Sequence, residues 1–451
     1  MGQQIEKLAQ FVAETRWEDV PEPVQHHAKL TLLDTLGVIL AGSARPEVAG
    51  LRQRLTAGGG AGATVYAQGW PAADPRNAAL LNGIAGRSIE LCEGLRFVSG
   101  QAAMQALPGV LAVGEQAGST GRDMLTAFVL GYDVAARVAG GFAPRPLAHQ
   151  NGQVSLLAAA AAGARLRGLD TAGISLAMRI ATVLMLTPSY TNAVAGATAL
   201  NVAGGMSGFA AALAPELALA GFAAQPDAIE ETLGNLVGDG FSPDHLLDDL
   251  ASVWHITRNY FRLYACCNPI HPALDCLAAA LAELRPRPDE IERIEVATYR
   301  FASVMRNPEP PNYFASKYSL PHAAAVMAVR GGAGFSALDD SALEDPAIAA
   351  LRPRVHVRED PAMTAVAPRL RPARVTVTLT GGRHSTQSRD SHRGDFQQPF
   401  AEAEIRAKFR ELAEVVLTAE GAAEVERAAD RCDEWQDVGE LTRLLRQHGR
   451  A

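Results

Sequence analysis

Apolar residues recur at three- and four-residue intervals from the N-terminus to about residue 265, the signature of amphipathic helices. Ile5, Leu8, Phe11 and Val12 open the series. Pro23 stands where a helix can start, and the apolar run 24–41 ends on Gly42, a residue suited to a helix stop. Further helices are predicted over 125–138, 154–166, 174–186 and 205–219, and the alanine run 158–162 lets neighbours approach closely. No strand pattern competes in this part. After about residue 285 the period shortens to two. The segment 291–299 alternates as a half-exposed strand does, and 374–380, Gly381-Gly382 and 384–388 read as a hairpin. A further strand is predicted at 354–358, with helices at 271–284 and 320–329 covering one face of the sheet. Beyond Pro399 the helical period returns, first over 401–417 and then in a segment ending near Gln447.

The fold class expected from this pattern is mainly α with an inserted α+β domain. Residues 1–267 form the first part of a large helical bundle, 268–398 a smaller sheet-and-helix domain, and 399–451 the C-terminal helices that complete the bundle. One stretch, 180–215, holds no charged residue and is long enough to suggest a membrane span. It is broken at Pro188-Ser189-Tyr190 and rich in Ala, Gly, Thr and Asn. It is therefore expected to be two closely packed helices inside the protein or at a subunit interface.

Composition narrows the function. A chain of 451 residues that is 48% hydrophobic and 20% charged can bury a large interior. Its formal charge of -8 argues against a nucleic-acid binder, which needs a basic face. Five cysteines, two of them adjacent, do not look like a disulfide framework, and the N-terminus lacks the layout of a signal peptide. A reduced, cytoplasmic setting is expected.

Four polar interruptions carry candidate chemistry. In 88–101, Glu90 and Glu93 would share a face of a helix, with Arg96 close enough to pair with one of them; a solvated helix end would look the same. In 148–155, His149 precedes a helix start that suits an anion and a proton-transfer group, or an ordinary cap. In 260–272, Cys266 and Cys267 precede His271; adjacent cysteines are poorly spaced for zinc, and packing is the alternative to a nucleophile. In 315–322, Lys317 could hold a carboxylate as a point charge and His322 sits in a first helical turn, unless both belong to a surface loop.

The same segments resemble the MmgE/PrpD family. Residues 32–42 resemble its N-terminal signature helix, 90–97 its acidic E-L-D-D-G stretch, and 149–155 its H-P-x-G-T-x-G loop. Residues 264–275 are similar to Y-x-C-C-R-x-x-H-P-A-x-D, and 316–322 to A-x-F-S-L-P-Y. The resemblance implies proton transfer at a carbon beside a carboxylate of a small (di)carboxylic acid, no metal or other cofactor, and a homodimer; the charge balance and the broken uncharged stretch argue for no nucleic-acid and no membrane partner. It points to Glu90, His149 and Arg262 as pocket residues and to Lys317 at a usually basic or polar position; with the residues that stand at the other pocket positions, the candidates are His149, His322 and Glu90 as catalytic and Gln101, Arg96, Arg262, Cys267, Lys317 and Asn201 as substrate-binding. The chain departs from the pattern at Gln101, Leu200, Asn268 and His322, which removes an acid–base group and at least one cation. The expected activity is therefore a dehydratase- or decarboxylase-type lyase other than the usual 2-methylcitrate reaction, with His149 and His322 as its proton-transfer pair. An epimerase of a small dicarboxylate and a non-catalytic binding protein stay open.

Overall fold

The computed structural model describes residues 2–58, 62–96 and 100–450; the Phe97 end of the acidic stretch lies outside them. The elements that frame the seam between the helical part and the sheet are helices from both ends of the chain and the strands between them. Helix α1 is Glu22–Gly42, α2 Pro75–Arg87, α3 Ala102–Ala117, α4 Gly121–Gly140, α5 Val154–Leu166 and α6 Asn201–Leu219. Helix α7 is His271–Leu284, α8 Leu320–Arg330 and α9 Glu402–Ala413. The strands are β1 Ile291–Thr298, β2 Val355–Glu359, β3 Ala373–Leu379 and β4 His384–Arg389.

Helices α2, α3, α5 and α6 pack against one another at the centre of the helical part. Small residues set how closely they approach. A Cβ on Gly83 of α2 would lie 2.7 Å from the Gly205 Cα of α6, and one on Gly205 would lie 2.5 Å from the Leu80 carbonyl oxygen. Any side chain at either position would drive the two helices apart. The stretch Thr198–Leu219 is long and apolar enough for a span by length and composition, and half of its most apolar window is buried. Helix α9 returns to lie on α1, where Lys408 makes a buried ion pair with Asp34 at 2.6 Å.

The four strands form one mixed sheet in the order β2-β1-β3-β4. β1 pairs parallel with β2 and antiparallel with β3, and β3 and β4 form the hairpin. A parallel pair cannot be closed by a tight turn, and α8 lies on the long β1-to-β2 crossover. Helix α7 covers β3 and β4 and α8 covers β2. The core under this sheet is continuous with the helical part: Ile294, Val296, Val375 and Val377 share it with Val38, Ala41, Met104 and Leu200. All five cysteines are free and buried, four of them (Cys92, Cys266, Cys267 and Cys276) in this shared core.

Three sequence expectations are corrected. The first half also contains two small two-stranded sheets, Ala63–Thr64 with Ala72–Ala73 and Phe142–Pro144 with Gly238–Phe241. Two to four residues are too few to display a period. The uncharged stretch is not two long helices side by side. Helix Thr171–Ala181 ends in a short turn, a five-residue helix Thr191–Ala195 stops at Gly196 with φ 76°, and α6 starts only at Asn201. Finally, Glu90 and Glu93 do not share a helical face, because α2 ends at Arg87 and the chain beyond it is irregular.

Candidate active site

Glu90 has a φ of 50°, the left-handed region that a side chain normally avoids. That turn sends its carboxylate inward at the seam between the helical part and the sheet. Arg87 at the end of α2 donates to Glu90 Oε2 at 2.6 Å, Arg262 donates to Oε1 at 2.9 Å, and the Tyr318 hydroxyl donates to Oε2 at 3.0 Å. All four residues are buried. Burial alone would raise the acid's pKa, but Arg87 and Arg262 outweigh it and hold Glu90 at about 2. Glu90 is thus a fully engaged anion that fixes two guanidiniums, and its oxygens are committed to those partners. Glu93 faces elsewhere: it accepts from the Tyr132 hydroxyl at 2.9 Å and the Ala103 backbone N–H at 2.9 Å, and burial lifts it to about 7.

Three histidines around this pair have their tautomers set by backbone partners. A backbone N–H can only donate and a carbonyl can only accept. His149 Nδ1 lies 3.2 Å from the Asn151 backbone nitrogen, so Nδ1 accepts and the proton sits on Nε2. His271 Nε2 lies 3.0 Å from the Cys266 carbonyl oxygen, so Nε2 donates and Nδ1 keeps a lone pair. His392 Nδ1 lies 2.6 Å from the Arg393 carbonyl oxygen, and its Nε2 accepts from the Asn268 amide at 2.8 Å. Burial lowers all three, His149 and His392 to about 3, so each is neutral near pH 7. The His149 ring stacks on Tyr190 with centroids 5.5 Å apart, and His271 and His392 meet edge to face at 5.4 Å.

The sheet side supplies a cation that the Cys-Cys segment lacks. Arg371, just before β3, donates to the Asn268 side-chain oxygen and, at 3.0 Å, to the Arg96 carbonyl. Asn268 passes the contact on to His392, so the chain Arg371–Asn268–His392–Arg393 carbonyl has one consistent direction of donation. Arg96 lies 3.1 Å from Asp395 and donates to Ser391 at 2.9 Å.

The wall built by α3, the 149–153 loop and the start of α6 is polar but uncharged. Gln105 of α3 accepts from the Gly152 N–H at 2.9 Å and from the Ser207 hydroxyl at 3.1 Å, tying the 149–153 loop to α6. Asn201 begins α6 one turn before Gly204, where a Cβ would lie 2.4 Å from Arg87 Cγ. The first turn of α6 therefore packs on the Arg87 side chain, and Gln101 precedes α3 one turn from Gln105.

Of the residues expected from sequence, the structure brings together Glu90, Arg262, His149, Gln101, Asn201 and Cys267. The Cys267 thiol lies 3.8 Å from the Tyr190 hydroxyl, and burial pushes it up to about 12, so it remains a thiol. Three residues sit elsewhere. Arg96 pairs with Asp395 instead of Glu90 or Glu93, because the irregular segment turns it toward the sheet. The Lys317 ammonium donates to the Leu338 carbonyl and lies 3.9 Å over the Tyr313 ring, away from Glu90. His322 is buried with both ring nitrogens unbonded, and its charged neighbours are Arg352, Lys317 and Arg330; burial, reinforced by those cations, lowers it to about 3. His149 and His322 thus belong to different surroundings. Sequence reading passed over Arg87, Arg371 and His392, which lie outside the segments with a motif, gave no role to Tyr190 or Tyr318 although both lie in segments it singled out, and noted His271 without assigning it a role. Among the described residues, no three His, Cys, Asp or Glu side chains converge as a metal site.

Comparison with known proteins matches both parts of the chain to domain models. Residues 6–244 match the MmgE/PrpD N-terminal domain and residues 264–434 the MmgE/PrpD C-terminal domain. The chain is similar to a cis-aconitate decarboxylase of Aspergillus terreus, 23% identical over 476 residues, covering 97% of this chain and 95% of that protein. It is also similar to a cis-aconitate decarboxylase-like protein, oryM, of Aspergillus oryzae, 24% identical over 485 residues with 98% and 97% covered.

Proposed function

Because the chain belongs to the MmgE/PrpD family, we propose that it is a lyase that moves a proton at a carbon beside a carboxylate of a small dicarboxylic acid. The observation that carries this reading is that two neutral histidines, each within electrostatic reach of the Arg87–Glu90–Arg262 cluster, are held in opposite tautomers. His271 offers a lone pair at Nδ1 and His149 offers an N–H at Nε2. A base and a neutral donor of this kind are what proton abstraction next to a carboxylate needs, since the developing enolate-like charge must be met as it forms. His271 takes the proton, Arg87 and Arg262 face the growing negative charge, and His149 donates toward the departing group. In a decarboxylation the bond to the carboxylate carbon breaks, carbon dioxide leaves, and the electron pair left on carbon takes a proton that His271 has first accepted from solvent at Nδ1. The relatives' names favour the decarboxylase form.

Charge supports two carboxylates over three. Arg87, Arg262 and Arg371 stand against Glu90 alone, Arg96 being neutralised by Asp395, which leaves two positive charges in excess while Glu93 is protonated. A third carboxylate would enter without a matching cation. Glu90, counted among the catalytic groups on sequence, acts in this reading as the anchor of the arginines, and His322 stands outside the reaction.

A second reading, an epimerase of a small dicarboxylate, draws on the same pair: a lone pair and an N–H on opposite faces of one carbon invert it. Turnover of a panel of di- and tricarboxylates by the purified protein, read as carbon dioxide release and alkene absorbance, tests the lyase reading. Alkene formation or carbon dioxide release supports it, and racemisation alone supports the epimerase. A second copy of the chain is proposed to cover the apolar stripe Val202, Met206, Phe209 and Leu213 of α6 together with exposed Val183. Light scattering at twice the 47.6 kDa chain mass would support that dimer.

A further inference from the structure

The uncharged wall of the site holds side chains whose hydrogen-bonding capacity the protein itself leaves unused. Gln153 and Asn201 are buried and neither amide atom of either is hydrogen-bonded; the same holds for the Gln101 oxygen and the Asn151 nitrogen. These residues lie on adjoining segments: a Cβ on Gly152 would lie 3.0 Å from the carbonyl of Ala203, two residues after Asn201. Asn151 and Gln153 flank Gly152, whose N–H is held by Gln105; Gln101 lies one turn from Gln105, and Asn201 adjoins Arg87 through the Gly204 turn. Buried polar groups are nearly always partnered, so a cluster of this kind beside a set of arginines marks where a ligand group docks.

The chemistry of that group follows from the amides. However each is turned, Gln101, Gln153 and Asn201 carry one oxygen apiece, an acceptor that only an N–H or O–H can satisfy. A carboxylate brings oxygens alone and would leave all three unpaired. A hydroxyl brings a single hydrogen. A carboxamide NH2 brings two, a ureido arm adds a third on its inner N–H, and the carbonyl of either can take the amide N–H of Asn201 or Asn151. We propose that the substrate carries, beyond the carboxylates held by the arginines, an uncharged NH2-bearing arm of carboxamide type that docks on Gln101, Gln153 and Asn201. The inference rests on the reading of this seam as a carboxylate-binding site.

Calorimetric titration of the full-length protein with succinate, malate, N-carbamoylaspartate and tricarballylate tests it. N-Carbamoylaspartate should bind on the order of tenfold more tightly than succinate, malate should fall between, and tricarballylate should gain nothing over succinate. Asn201→Leu should collapse the carbamoyl advantage, and Gln101→Met serves if that variant does not fold. Tightest binding by tricarballylate, no advantage for the carbamoyl compound, or an advantage unchanged in both variants overturns the proposal. Arg371→Met separates the two levels. Loss of affinity for all four acids without a carbamoyl advantage in the native protein sinks only the arm. Affinities for all four acids that Arg371→Met leaves unchanged, or no binding by any of them, sink the carboxylate site and the arm together.

Discussion

His149 Nδ1 accepts a hydrogen bond from the Asn151 backbone nitrogen 3.2 Å away, which leaves the ring's only proton on Nε2. His271 is held the other way round by the Cys266 carbonyl. The protein thereby presents one imidazole as a donor and another as a lone pair, both neutral, at the same seam.

The first expectation comes from that difference. His149→Ala and His271→Gln should each lower kcat by about 10²–10⁴-fold with the fold intact, whereas His322→Ala should keep most of the activity. His322 has Arg352, Lys317 and Arg330 as its charged neighbours, and neither ring nitrogen is hydrogen-bonded. Steady-state kinetics of the three variants, with circular dichroism as the control, checks the assignment; an inactive, well-folded His322→Ala would restore the histidine pairing suggested by sequence alone.

Glu90 carries a stability expectation. Removing it strands two buried guanidiniums, so Glu90→Ala should lose about 3–5 kcal/mol in denaturant unfolding. Its folded pKa is depressed, so its contribution is present above the ordinary carboxylate value of 4.5 and is lost as pH falls toward about 2. The native protein should therefore destabilise through that window more steeply than Glu90→Gln does.

Glu93 gives the opposite sign. Its pKa is raised to about 7, so the native state holds a proton that the unfolded chain has released. The stabilisation is complete below 4.5 and disappears as pH rises through about 7, an effect of at most about 3 kcal/mol. Glu93→Gln should flatten the loss of stability between about pH 5 and 8; an unchanged profile would contradict the assignment.

Arg371 is expected to act on substrate affinity. Arg371→Met should raise KM for a dicarboxylate about tenfold, one charge-assisted bond's worth, with a smaller change in kcat. Arg374→Met, at an exposed position paired with Asp360, serves as the control and should leave both parameters alone.

The fold was largely legible because its signals are periodic. Alternation over Ile291–Thr298 and the Gly381-Gly382 turn located β1 and the β3–β4 hairpin, and the helices at 154–166 and 271–284 have the expected bounds. The site was legible only where a polar residue interrupts an apolar run, as Glu90, His149 and Asn201 do. Arg371 and His392 left no such trace: Arg371 stands close to Arg369 and Arg374 with nothing to single it out, His392 stands between Ser391 and Arg393, and only the pairing of β3 with β4 brings them to Asn268, about a hundred residues earlier. Lys317 and His322 misled for the converse reason. Their segment resembles a family motif, but its side chains divide at the start of α8, with Tyr318 turned toward Glu90 and Lys317 toward Leu338.

The most direct test of the lyase reading is proton NMR of the reaction in deuterium oxide, with cis-aconitate and a panel of small dicarboxylates as substrates. The expected result is a product with a new or shifted double bond, or one lost carboxylate, bearing deuterium at a carbon beside a remaining carboxylate. Deuterium washing into unreacted acid without such a product, or binding throughout the panel with no turnover, would contradict it.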